Sequence, residues 1–109
     1  MDPINIEYET INNVYFRNVI HTSLHSQLVL MSLNREIGME IHPDNDQFIK
    51  IEQGNGIAFL NGVYYQLFAG VSVSIPAGTQ HNIYPIGNDP LKLYTIYSPP
   101  LHPHGEIIY

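Results

Sequence analysis

Four polar residues stand out for the chemistry they could do together. Glu40 and His42 are two positions apart in Gly38-Met39-Glu40-Ile41-His42-Pro43, so on an extended strand a carboxylate and an imidazole project from one face. His81 follows a turn in Ile75-Pro76-Ala77-Gly78-Thr79-Gln80-His81-Asn82 and supplies a second imidazole. Gln47 joins them by parity. In 47–52, Lys50 and Glu52 mark the solvent side, which turns Gln47, Ile49 and Ile51 inward.

An unpaired polar side chain in an apolar interior costs roughly 1–3 kcal/mol, and a bare carboxylate far more. Glu40, His42, Gln47 and His81 inside one small fold therefore need a common partner. A divalent cation provides one, neutralising the carboxylate and accepting lone pairs from both imidazoles and the amide oxygen. This donor set suits Zn, Mn, Ni or Fe(II) and does not select among them. The competing reading is a polar cluster hydrogen-bonded to itself, with no ion. Asp46 rivals Gln47 as a ligand: parity sends it outward, but it stands at a strand start. In 91–97 an outward Lys92 turns Leu91, Leu93, Thr95 and Tyr97 inward, and Ile83 shares the face of His81. Ile49, Ile83 and Tyr97 are thus expected to line a pocket for a small molecule, with Gln27 at its mouth.

The other histidines read differently. His21 and His25 flank a loop and are expected to be solvated. His102 and His104 sit in a Pro-rich tail and are expected at the surface or an interface. No serine lies in an elbow motif and no glycine-rich loop precedes a helix, which disfavours Ser-His-Asp chemistry and phosphate cradling.

The elements that position these residues read as strands. Ile, Val, Tyr and Phe dominate the apolar residues, against only three alanines, Ala58, Ala69 and Ala77. Turn signals recur at Asn12-Asn13, Asn34, Gly54-Asn55-Gly56, Asn61-Gly62, Gly70, Pro76-Ala77-Gly78 and Gly87-Asn88-Asp89-Pro90. Strands are predicted near 14–20, 26–33, 37–43, 46–53, 56–60, 63–67, 72–75, 81–85 and 91–97, an all-β barrel or sandwich. Asn61-Gly62 predicts a tight hairpin, because both residues tolerate positive φ. Residues 1–12 hold an edge strand or a short helical turn. The tail 98–109 is expected to run extended over the surface or onto a partner, because Pro and Gly crowd its first half.

With 109 residues the chain is expected to be one domain, 1–109, with its barrel at about 14–97. A net charge of −6 with four cations argues against nucleic acid and acidic membranes as partners. No apolar run approaches the roughly 18 residues of a membrane span, and no signal peptide is evident, so the expected compartment is cytoplasmic. Without cysteine, thiolate metal sites and disulfides drop out. Charged residues make up 13% of the chain, about half the usual share, which suggests a face covered by a second copy. Outward Tyr94 and Ile96 and the tail support a homodimer.

Glu40-Ile41-His42, Asp46-Gln47-Phe48, Pro76 to Asn82 and Pro90-Leu91-Lys92-Leu93-Tyr94-Thr95-Ile96-Tyr97-Ser98-Pro99-Pro100 together resemble the two motifs and flanking segments of a small single-domain cupin. The resemblance covers about 14–105. It implies an RmlC-like jelly roll, the cupin double-stranded β-helix, with a metal at its centre. Aligned on Gly54, Gln47 falls where the family places Glu, His42 on its second His, Glu40 where its first His belongs, and His81 on the last ligand. Relatives of this subgroup are often described as mannose-6-phosphate isomerase-like. Zinc phosphomannose isomerases resemble the site in using an amide, two His and a Glu, with Glu and Gln exchanged here. Those enzymes carry a basic phosphate pocket, whereas Lys50 and Lys92 point outward by parity.

Cupins span isomerases, dioxygenases, decarboxylases, epimerases and binding domains, so the resemblance leaves catalysis open. One reading is a metal-dependent enzyme, an isomerase or a dioxygenase, acting by Lewis-acid chemistry on a sugar-like, dihydroxy or diketone molecule. The alternatives are a non-catalytic sugar or small-ligand binder and a structural dimerisation barrel.

Overall fold

Runs of β-branched and aromatic residues between turn formers pair into two antiparallel sheets. The computed structural model describes residues 1–109. A short helix, α1 (Ile6–Asn12), precedes β1 (Arg17–Thr22), β2 (Gln27–Leu33), β3 (Asp46–Gln53), β4 (Asn55–Leu60), β5 (Val63–Phe68), β6 (Ser72–Ile75), β7 (His81–Pro85), β8 (Leu91–Ser98) and β9 (Ile107–Ile108). The larger sheet has the order β6-β3-β8-β2-β1-β9 and the smaller the order β5-β4-β7. This is a jelly-roll sandwich. None of its helices is long and apolar enough to cross a membrane.

The inner faces form the core. Val29, Leu33, Ile49, Ile51, Ala58, Ile83, Leu91 and Leu93 are fully buried there. Register lines up the inward residues in rows. Gln27 faces Tyr97, and Gln47 faces both Tyr97 and Ile75, so one row across the large sheet is polar. The next row, Val29, Thr95 and Ile49, is apolar apart from Thr95. The barrel thus has one polar end and an apolar body.

Most predicted strands are present, and the Asn61-Gly62 hairpin joins β4 to β5 with both residues at positive φ. The N-terminal segment takes its helical alternative. Asn5 caps α1 by accepting from the Tyr8 amide at 3.0 Å, and Glu7 and Glu9 sit in the first turn, where the helix dipole favours them. The helix packs on the outer face of the large sheet against β8, β2 and β3. It changes the status of Lys92. That side chain does point outward, but it is buried beneath the N-terminal segment, where its Nζ donates to the Asn13 carbonyl at 2.5 Å. Burial lowers its pKa.

Two other expectations need correction. The strand predicted over 37–43 is reduced to a single bridge between Glu40 and His81. Gly38 has a φ of 105°, and its amide goes to the Asn82 side chain at 2.9 Å, which removes one rung from the ladder. Pro43 then offers no amide to extend it. The tail, expected to run extended over the surface or onto a partner, ends instead in a short strand. It folds back on its own barrel, and Ile107–Ile108 pair with Arg17 and Asn18 of β1.

Candidate metal centre

Glu40, His42 and His81 come together at the polar end. One ligand atom from each lies within 4.8 Å of the others. All three are positioned from the edge of the small sheet. His81 opens β7, and its backbone exchanges two hydrogen bonds with Glu40, 2.8 and 2.9 Å long. The carbonyl of His42 accepts from the Gly78 amide at 2.9 Å. The Pro76-Ala77-Gly78 turn therefore sets His42 as well as His81. Gly78 sits at a φ of 84°, which favours glycine.

The electrostatics prepare the imidazoles as lone-pair donors. Nδ1 of His81 lies 2.9 Å from the Thr79 carbonyl, and a carbonyl can only accept, so Nδ1 carries the proton and Nε2 keeps its lone pair. Burial lowers the pKa of His42, with Glu40 opposing and His81 assisting. Nε2 of His42 lies 3.0 Å from Oε2 of Glu40, within ion-pair distance. The angle is nonetheless wrong for a hydrogen bond, and Nε2 is buried without a partner. An imidazole nitrogen and a carboxylate oxygen that close, with no hydrogen bond between them, suit a shared third centre. The Glu40 side chain is 32% exposed against 12% for His42, which marks the side open to solvent.

Gln47 reaches the interior from the opposite sheet. Its Nε2 donates to Thr95 Oγ1 at 3.1 Å and to Tyr97 Oη at 3.3 Å, and its Oε1 is buried with no partner. Asp46 is otherwise engaged: it is exposed, and its Oδ1 accepts from the Ala77 amide at 2.9 Å, tying the start of β3 to the turn before His81. Tyr97 stands edge-on to His42, ring centroids 5.8 Å apart. Burial, then the Glu40 charge, pushes its phenol well above the ordinary range, so it is a neutral donor.

The surrounding residues differ in part from expectation. Ile49 and Ile83 are fully exposed to the core and not to solvent, packed in the apolar body beneath the polar end. Gln27 is buried as well, and its side chain is used up on the tail and on Thr22, so it does not stand open at a pocket mouth. His102 was expected at the surface or an interface. Instead its ring packs against Tyr97 at 5.1 Å with the side chain only 16% exposed. No periodicity announces this, because the tail that delivers it has none. His25 is exposed, as expected of a solvated residue, and His104 is exposed at the surface, whereas His21 is half-buried in β1.

Residues 27–97 match the model of the cupin domain, and the chain belongs to the cupin family. It is 53% identical over 95% of its length to an uncharacterised protein of Acanthamoeba polyphaga mimivirus, and 43% identical over 95% of its length to uncharacterised protein YrkC of Bacillus subtilis. The chain spans 69% of the length of the first relative and 60% of the second. The crystal structure of BH2720 from Bacillus halodurans superposes with a TM-score of 0.95 at 43% identity, covering 98% of this chain and 87% of that one.

Proposed function

We propose that this chain holds one divalent metal ion through Glu40, His42 and His81, with Oε1 of Gln47 as a weak fourth donor, and binds a small oxygen-rich molecule there. The observation that carries this reading is the pair of buried polar atoms without hydrogen-bond partners, Nε2 of His42 and Oε1 of Gln47. Each is costly unless something fills its lone pair. The set remains compatible with Zn, Mn, Ni or Fe(II). When bound, the ion would supply Lewis-acid polarisation of a carbonyl or enediolate oxygen.

The chain's own residues do the positioning. Thr95 and Tyr97 hold the amide nitrogen of Gln47 and leave its oxygen for coordination. Thr79 fixes the tautomer of His81. With one carboxylate against a divalent ion, the centre keeps positive charge and favours an anionic or chelating molecule.

A phosphorylated sugar is the weaker substrate class, because every cation is engaged elsewhere. Arg17 pairs with Glu106, Arg35 lies over the Phe16 ring, Lys50 pairs with Glu52, and Lys92 bonds the Asn13 carbonyl. That supports isomerisation or oxygenation of a non-phosphorylated molecule over mannose 6-phosphate. A binding module without turnover is the second reading, since the cluster holds no acid–base group beyond the ligands themselves.

A homodimer belongs to the same proposal. Val63, Tyr64, Tyr65 and Phe68 are exposed on β5, an edge strand, and such an apolar edge calls for a cover. A monomer by light scattering at micromolar concentration would remove this part.

Elemental analysis of chelator-free protein tests the centre, beside His42→Ala and His81→Ala. Near-stoichiometric metal in the wild type and its loss in both variants is the expected result. No metal, and none taken up from added Zn, Mn, Ni or Fe(II), would overturn the reading.

A further inference from the structure

His102 is an imidazole packed beside the polar end that the metal reading leaves unused. The tail that carries it is held with unusual thoroughness. Gln27 is 1% exposed, and its side chain spends three of its four hydrogen bonds there. Oε1 accepts from the amides of Leu101 at 3.1 Å and His102 at 2.9 Å, while Nε2 donates to the His102 carbonyl at 2.7 Å and to Thr22 Oγ1 at 2.9 Å. The backbone of His102 is thereby gripped on both its amide and its carbonyl. Four residues on, Glu106 pairs with Arg17 at 2.9 Å and its carbonyl takes the Val19 amide.

What this clamp positions is an imidazole without a partner in the chain. Neither ring nitrogen of His102 makes a hydrogen bond within the chain. The nearest candidate, Oε1 of Glu106, lies 3.9 Å from Nδ1, too far for one, and is already taken by Arg17. The ring meets Tyr97 edge-on at 5.1 Å, and Tyr97 meets His42 at 5.8 Å. His102 and His42 thus share Tyr97 as a neighbour.

We propose that His102 reads the bound molecule, donating to or accepting from a hydroxyl or carbonyl oxygen of a small hydroxy acid held at the metal centre, and that Gln27 is its positioning residue. The inference rests on the metal-centre reading above. The carboxylate of such a ligand answers the residual positive charge of the centre. Its hydroxyl answers an imidazole that has one donor and one acceptor to offer. Burial, with the Arg17 charge, pushes the His102 pKa down to about 4, so the ring is neutral near pH 7 and keeps both functions. The competing explanation is that His102 merely packs on Tyr97, a task that a phenyl ring would do equally well.

The test is calorimetric titration of the full, zinc-loaded chain with glycolate and with L-tartrate, in wild type, His102→Phe and His102→Gln. The phenylalanine keeps the packing and removes both nitrogens. It is expected to retain zinc stoichiometry and melting temperature while weakening hydroxy-acid binding by about tenfold, with part recovered in His102→Gln. Unchanged affinity in His102→Phe would overturn the inference in favour of packing alone. Loss of zinc in His102→Phe would overturn it by making His102 part of the metal site. Failure of both hydroxy acids to bind zinc-loaded wild type would also overturn it while sparing the metal centre. Failure of the wild type to take up zinc or any other divalent ion would bring down the metal reading itself.

Discussion

Oε2 of Glu40 and Nε2 of His42 lie 3.0 Å apart without forming a hydrogen bond, although both belong to one short segment bridged to the start of β7. Their backbones are fixed by the His81 and Gly78 rungs, so the side chains are not simply loose.

Gln47→Glu adds a second carboxylate where an amide oxygen now stands unpaired. With metal present it should tighten binding by about tenfold or more, since an anionic oxygen is the better ligand. Without metal it should lower stability by about 1–3 kcal/mol, because a buried carboxylate then faces Glu40 unneutralised. Denaturant melts with and without zinc would show the two signs; the same sign in both would count against Gln47 as a donor.

Gln27→Ala strips the clamp from the tail and strands the amides of Leu101 and His102. The expected cost is about 2–4 kcal/mol. Hydrogen exchange should quicken first over 98–106, while β4 and β7 stay protected. A uniform rise across the barrel would mean that Gln27 serves the core and not the tail.

Acidification should reveal His102. Its folded pKa of about 4 lies below the unfolded 6.5, so the unfolded chain takes up the proton first as pH falls. Its contribution to stability is therefore unaffected above pH 6.5 and is progressively lost between pH 6.5 and 4. From pH 7 to 5 the wild type should lose about 1 kcal/mol more than His102→Phe, allowing for solvent screening of a partly exposed ring. Equal slopes in the two proteins would contradict the depressed pKa.

The glycines flanking the motifs should not behave alike. Gly54 has a φ of 91°, and a Cβ there would meet the Pro90 carbonyl oxygen at 2.4 Å. Gly78 has a φ of 84° but open space around it. Gly54→Ala should cost about 2–4 kcal/mol from strain and overlap together, and Gly78→Ala about 1–2 kcal/mol from strain alone. Thermal melts of the two variants would expose a reversed order.

Much of the fold could be read along the chain because strand parity is local. Lys50 and Glu52 put Gln47, Ile49 and Ile51 inward, and the structure buries those three. Asn61-Gly62 announced its hairpin because a two-residue turn depends on its own φ values. The meeting of Glu40, His42 and His81 was legible through their motifs, Glu40 and His42 two positions apart in an extended segment and His81 following the Pro76-Ala77-Gly78 turn, although the strand expected over 37–43 is only one bridge.

What the residues did not disclose depends on distant partners. Lys92 reads as solvent-facing until α1 lies over the large sheet and Asn13 takes its ammonium. Gln27 reads as a pocket residue until a tail more than seventy positions away supplies backbone for its amide. His102 has no pattern around it, so only the return of the tail to β1 brings its imidazole to Tyr97. The sequence by itself determined most of the strands, their inward faces and the three side chains that cluster at the polar end, because side-chain alternation and turn chemistry act over a few residues. Tertiary structure alone decided which outward groups are covered and what closes the polar end, because those contacts join segments far apart in the chain.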